Sequence, residues 1–200
     1  MSTARAATER ELRRALGGRP LADNARLGMA LFVLAEAMLF AGFISAFVIV
    51  QAGARPGAWP PPDQPRLPVT QTAFNTLALL ASGVMLFVAG RRFDGPRPRS
   101  AGPWMGAALG LGALFVIRQG MEWVALLRQG LTLTSSQLGG FFYLIVGMHA
   151  VHAVGAIVAL GWAFMAMRVG RLNGSRLGAV KLFWYFVVLV WPFLYWKVYL

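Results

Sequence analysis

Two histidines, His149 and His152, stand three residues apart in a long apolar stretch, and Glu36 interrupts another. Imidazole and carboxylate side chains carry protons and bind metals. Ionisable groups set in hydrocarbon are costly, so each marks a functional position by default. A third polar feature is Arg118 with Glu122, one helical turn apart and continued by Gln119. Opposite charges at that spacing can neutralise each other, and long side chains can snorkel to an interface. Haem ligation by His149 and His152 together is disfavoured, because residues i and i+3 of one helix cannot reach opposite faces of a ring. A mononuclear metal needs more ligands than the pair supplies, even with Glu36 as a third. There is no cysteine, which removes disulfides, thiolate nucleophiles and iron–sulfur clusters.

The elements that must position these groups are membrane helices. The chain is 58% hydrophobic and 13% charged, with a mean hydropathy of +0.60, whereas soluble domains carry about 25% charged residues. Mostly apolar runs of at least about 18 residues read as spans. Five qualify, at residues 27–50, 70–90, 104–127, 139–167 and 177–199. The expected fold is therefore an all-α integral membrane bundle of five transmembrane helices. Residues 1–25 form a basic tail ahead of the membrane domain at 26–200, and the first span is too long to be a cleavable signal peptide. If that span rises from the tail side, Glu36 lies roughly 14 Å deep, and the antiparallel fourth span brings His149 and His152 to a similar level. Glu36 is then either paired with one of these histidines or held protonated at a lipid-facing or subunit interface.

The net charge of +12 is a topology signal. Fourteen basic residues precede the first span or lie between the second and third or fourth and fifth spans, against four (Arg55, Arg66, Arg128 and Lys197) on the other side. The positive-inside rule then places the N-terminus in the cytoplasm and the C-terminus outside. Attraction to anionic lipid accompanies such a face, whereas nucleic acid would need a soluble basic surface. The outer loop carries Pro56, Pro60, Pro61, Pro62, Pro65 and Pro68, which favour extended backbone and make it a stiff strap. Trp59 sits where an aromatic belt would lie. Small residues at Gly106, Gly110, Gly112, Gly147 and Gly155 suit close helix approach, to neighbours within the chain or in a partner. No phosphate-binding glycine pattern and no internal repeat is evident.

Several segments, in order, resemble the cytochrome c oxidase subunit III family. Ala35-Glu36-Ala37-Met38-Leu39-Phe40-Ala41-Gly42-Phe43 is similar to its S-E-x-M-F-F-A-x-F helix. Trp59-Pro60-Pro61-Pro62, followed by Asn75-Thr76 and Leu79-Leu80-Ala81-Ser82-Gly83, resembles its W-P-P and N-T-x-x-L-L-x-S-G region. Gln119-Gly120-Met121-Glu122-Trp123 resembles Q-x-x-E-Y, and Gly147-Met148-His149-Ala150-Val151-His152 resembles G-x-H-G-x-H. The last span, from Phe183 to Trp191, is similar to Y-W-H-F-V-D-x-V-W, but with Tyr185 at the histidine and Val188 at the aspartate. The long form of the family has seven helices, and this chain lacks the counterpart of the first two.

The resemblance implies a subunit without redox centres in a haem–copper terminal oxidase of a bacterial plasma membrane. Haem and copper would reside in subunits I and II, with subunit I the main contact. A small subunit or subunit I would supply the additional helices, and bound phospholipid is compatible with the family. The implied role is support of assembly, sustained turnover and proton uptake. Two other readings remain at this point: an accessory subunit of a nitric oxide reductase, and a small proton-coupled transporter using Glu36, His149, Arg118 and Glu122.

Overall fold

A computed structural model describes residues 24–55, 59–61 and 64–200; the basic tail expected at residues 1–25 lies almost wholly outside these. Five long helices follow one another: α1 (Asn24–Ala52), α2 (Val69–Phe93), α3 (Gly102–Arg128), α4 (Gln137–Arg168) and α5 (Gly174–Leu194). Each contains a stretch long and apolar enough to cross a membrane, as backbone groups in hydrocarbon require. The chain is thus an all-α integral membrane bundle.

Local sequence explains where the helices begin and end. A short 3-10 turn at Pro98–Ala101 leads into α3, and Pro103 falls in the first turn of α3, where a missing N–H costs nothing. Ser136 caps α4 by accepting from the Gly139 amide, and Asn173 caps α5 by accepting from that of Arg176, each satisfying a donor that has no partner inside its helix. At the opposite ends, α3 and α4 close on Gly130 and Gly170, with φ of +91° and +70°. The Leu131 amide reaches back to the Leu126 carbonyl, and the Arg171 amide to that of Ala166. Both are the left-handed glycine stop that satisfies the last carbonyls. Pro192 lies inside α5, which opens at its end into a wider π-type turn, Tyr195–Tyr199.

In the bundle α2 and α3 form the most extensive pair, while α5 packs on α1, α2 and α4. Trp184 and Trp191 of α5 are fully buried. Close approach is bought by glycine: a Cβ on Gly112 would lie 2.5 Å from the Trp184 ring, and one on Gly83 would lie 3.0 Å from Val188 Cγ1. Gly106, Gly147 and Gly155 likewise face Phe164, Trp123 and Phe183 of this same chain, whereas a Cβ on Gly110 would meet nothing within 4 Å. Helix α1 is peripheral. It buries Phe40, Ile44 and Phe47 but leaves Leu31, Leu34, Met38 and Ile49 about 60–71% exposed, an apolar face suited to lipid or to another helix. The described residues of the outer loop lie at the end of the bundle opposite Arg97 and Arg176. There Trp59 packs edge-on against Phe47 with ring centres 5.6 Å apart, and Gln64 accepts a hydrogen bond from Ser135 in the α3–α4 loop.

Candidate functional site

The structure divides the candidate side chains between two clusters, a separately buried His149 and an exposed Arg118. In the first cluster, Glu36 of α1 meets His152 of α4, with Oε2 3.0 Å from Nε2. The approach lies outside hydrogen-bond alignment for that ring nitrogen, so it is a close electrostatic contact. His152 Nδ1 is 2.8 Å from the Met148 carbonyl oxygen. A carbonyl can only accept, which assigns a proton to Nδ1. The lone pair of a neutral imidazole then faces Glu36. Phe40, Phe183 and Phe186 surround the histidine with ring centres 5.5–6.3 Å away.

His149 does not join this pair. It is turned one face further into the core, 2% exposed, with its ring 4.9 Å from Trp191 and in edge contact with Phe40 and Phe115. Its Nε2 has no hydrogen-bond partner among the described residues. The i, i+3 spacing therefore puts both histidines inside the bundle without giving them one partner.

The second cluster lies between α2, α3 and the end of α5. Glu122 Oε2 accepts from Thr72 Oγ1 at 2.9 Å and from Gln119 Nε2 at 3.0 Å. Gln119 Nε2 also reaches the Tyr199 hydroxyl at 3.1 Å, and its Oε1 accepts from Asn75 Nδ2. Asn75 donates to the Phe115 carbonyl as well, and the Trp191 indole N–H donates to Thr76 Oγ1. One carboxyl, two amides and several hydroxyls thus join three helices, which is how buried polar groups recover the cost of leaving water.

This corrects the expectation of an Arg118–Glu122 ion pair. Arg118 is exposed on the outside of the bundle, and the ion pair within 4.0 Å among the described residues is the Glu36–His152 contact. The i, i+4 spacing allows a meeting, but Glu122 is satisfied by two uncharged donors and exposed Arg118 stays beyond ion-pair distance. Thr72, Asn75, Thr76 and Tyr199 went unrecognised as members of a cluster. Their signal was the polar stripe Thr72, Asn75, Thr76, Ser82, which recurs at helical spacing on α2 and is wholly buried.

Tyr185 and Val188 are not a substitute polar pair. Val188 packs on Gly83, and the Tyr185 hydroxyl has no partner among the described residues. No group of three or more His, Cys, Asp or Glu side chains among the described residues is arranged to hold a metal.

Five apolar helices tied by interhelical hydrogen bonds and a carboxyl–imidazole contact define an integral membrane helical-bundle protein. Residues 17–200 match the family model described as cytochrome c oxidase subunit III. Among relatives, the chain is 29% identical over 181 residues to a probable cytochrome c oxidase subunit 3 of Nocardia farcinica, covering 86% of each chain. It is 30% identical over 182 residues to the probable cytochrome c oxidase subunit 3 of Mycobacterium leprae, again covering 86% of each. It is 27% identical to the cytochrome c oxidase subunit 3 of a Synechocystis strain, covering 89% of this chain and 76% of the relative. The chain belongs to the cytochrome c oxidase subunit III family and is thereby a haem–copper oxidase subunit.

Proposed function

We propose that this chain is a non-redox membrane subunit that supports assembly, sustained turnover and proton uptake in an oxidase core that reduces oxygen to water. In this reading haem and copper are carried by subunits I and II, with subunit I the main contact. The exposed face of α1 receives helices from subunit I or a small subunit. The complex lies in a bacterial plasma membrane, with the basic end of the bundle in the cytoplasm, as the positive-inside rule favours. A tag after Tyr199 reached only from outside checks that orientation.

The observation that carries the reading is the family match, together with the way the ionisable groups of the bundle are used. Glu36 and His152 hold α1 to α4, and Glu122 holds α2 to α3. The contact between Glu36 and His152 is the feature of this chain best suited to proton handling, because it sets a carboxyl 3.0 Å from an imidazole, two groups that can each carry a proton. The test is deletion of the chain. The core should keep its haem and copper, and initial oxygen consumption should survive better than activity over many turnovers. Loss of the haem absorption bands from an otherwise intact core would contradict it.

A further inference from the structure

Arg118 stands well inside α3, yet among the described residues its guanidinium donates no hydrogen bond and forms no ion pair. Its level follows from contacts between α2 and α3. Glu122 meets Thr72, and Asn75 reaches both Gln119 and the Phe115 carbonyl, so Arg118 lies level with Asn75. At about 1.5 Å per residue that is roughly 9 Å in from the start of α2 and roughly 15 Å from the end of α3. A helix of this length exceeds a hydrocarbon layer of about 30 Å by only a few ångströms at each end. Arg118 therefore starts from within the hydrocarbon.

The direction of the side chain matters as much as its level. The Cα–Cβ bond of a helical residue tilts toward the helix N-terminus, which for α3 is the basic end of the bundle. The stem of Arg118 thus leaves the backbone toward the bilayer centre and away from the nearer interface, where headgroup phosphates lie. Around it the surface is apolar: Leu114, Ile117, Met121 and Val124 recur at helical spacing and are 45–67% exposed. An ionised group in such a setting is costly until it meets an opposite charge. A carboxylate fits, since it accepts a guanidinium in two parallel charge-assisted bonds.

This chain does not supply that carboxylate. The acidic residue of α3 is Glu122, which is buried and already accepts from Thr72 and Gln119. A second copy docked through the same face about a twofold axis would set one Arg118 against the other. The occupant is then a helix of a different chain. The surface is also separate from the exposed face of α1, because α3 packs on α2 and α4 whereas α1 packs on α5 and α4.

We propose that this face of α3 docks a transmembrane helix of another subunit, and that an Asp or Glu on that helix pairs with Arg118 inside the hydrocarbon. The proposal rests on the reading of the chain as a subunit of a larger membrane complex. It adds which face is covered and by what chemistry.

The test is photocrosslinking in the purified complex, with benzoylphenylalanine incorporated at Met121 or, as a second probe, at Ile117, and the adduct mapped by mass spectrometry. The expected adduct joins this chain to one partner subunit, at a transmembrane segment with an Asp or Glu within a helical turn of the crosslinked residue. Arg118→Lys should keep the yield, whereas Arg118→Glu should lower it about tenfold, the scale of one lost charge-assisted bond. Replacing the mapped partner carboxylate by lysine should restore the Arg118→Glu adduct. Arg118 is exposed and holds nothing among the described residues, so these variants leave the bundle itself intact. Adducts with lipid alone, with a second copy of this chain or with a segment lacking an acidic residue would overturn the proposal, as would an unchanged yield in Arg118→Glu. If haem and copper copurify while both probes capture only lipid, this surface fails and the subunit reading stands; a chain that purifies without any membrane partner removes both.

Discussion

Removing the Glu36 side chain should loosen α1 from the bundle, and the size of the effect follows from what holds α1 in place. Among the described residues α1 has two polar ties: Arg26 donating to the Gly174 carbonyl at 2.7 Å, and Glu36 against His152 at 3.0 Å. Only the second lies at mid-span. With Nδ1 of His152 committed to the Met148 carbonyl, Glu36→Ala leaves Nε2 without a partner in an apolar surrounding. An orphaned buried acceptor costs about 1–3 kcal/mol, or roughly 5- to 140-fold in an equilibrium constant. Glu36→Gln keeps the shape and offers an amide N–H to that nitrogen, so it should retain most of the contact. The assay is retention of the subunit as detergent concentration is raised on the purified complex. The expected order is wild type, then Glu36→Gln close behind, then Glu36→Ala released first. Equal retention of all three would refute the pairing as a structural tie and leave only a proton-related or lipid-related role for Glu36.

Two further outcomes follow from packing and hydrogen bonding. Gly112→Ala forces a methyl group to within 2.5 Å of the buried Trp184 ring, and overpacking of this kind costs about 1–3 kcal/mol; thermal release of the subunit should come earlier than in Gly110→Ala, where the new methyl meets nothing within 4 Å, and equal behaviour of the two variants would contradict the close α3–α5 contact. Gln119→Leu should destabilise more than Glu122→Leu, and Glu122→Gln least, because Gln119 serves Asn75, Glu122 and Tyr199 together while Gln at 122 still accepts from Thr72; the same melting measurement ranks them, with an average membrane hydrogen bond worth about 0.6 kcal/mol.

The five spans were legible because hydrocarbon demands uninterrupted apolar runs, and most of the bounds of those runs fall within about three residues of the observed helix ends. Glu36 and His152 were legible as partners in depth, since rise per residue converts sequence position into level in the membrane. Which histidine pairs with Glu36 was not, because residues three apart on a helix differ in facing by only about 60° and the neighbouring helices decide which of the two is met. The Glu122 cluster was hidden for a similar reason. The i, i+4 spacing drew attention to Arg118, while the true partners, Thr72 and Gln119, are uncharged and lie partly on another helix. Only the packing of α2 on α3 brings them to the carboxyl. Tyr199 was harder still, since it reaches Gln119 only after α5 opens at Pro192 into its final turn.

The central claim, membership of a haem–copper oxidase as a subunit without redox centres, is tested most directly by affinity purification through a tag on this chain, followed by a reduced-minus-oxidised haem spectrum and copper analysis of what is retained. Haem a and copper are expected in the purified complex, both staying with the core when this chain is stripped away by detergent. Purification of the chain without haem or copper, or with only haem b and haem c, would contradict it.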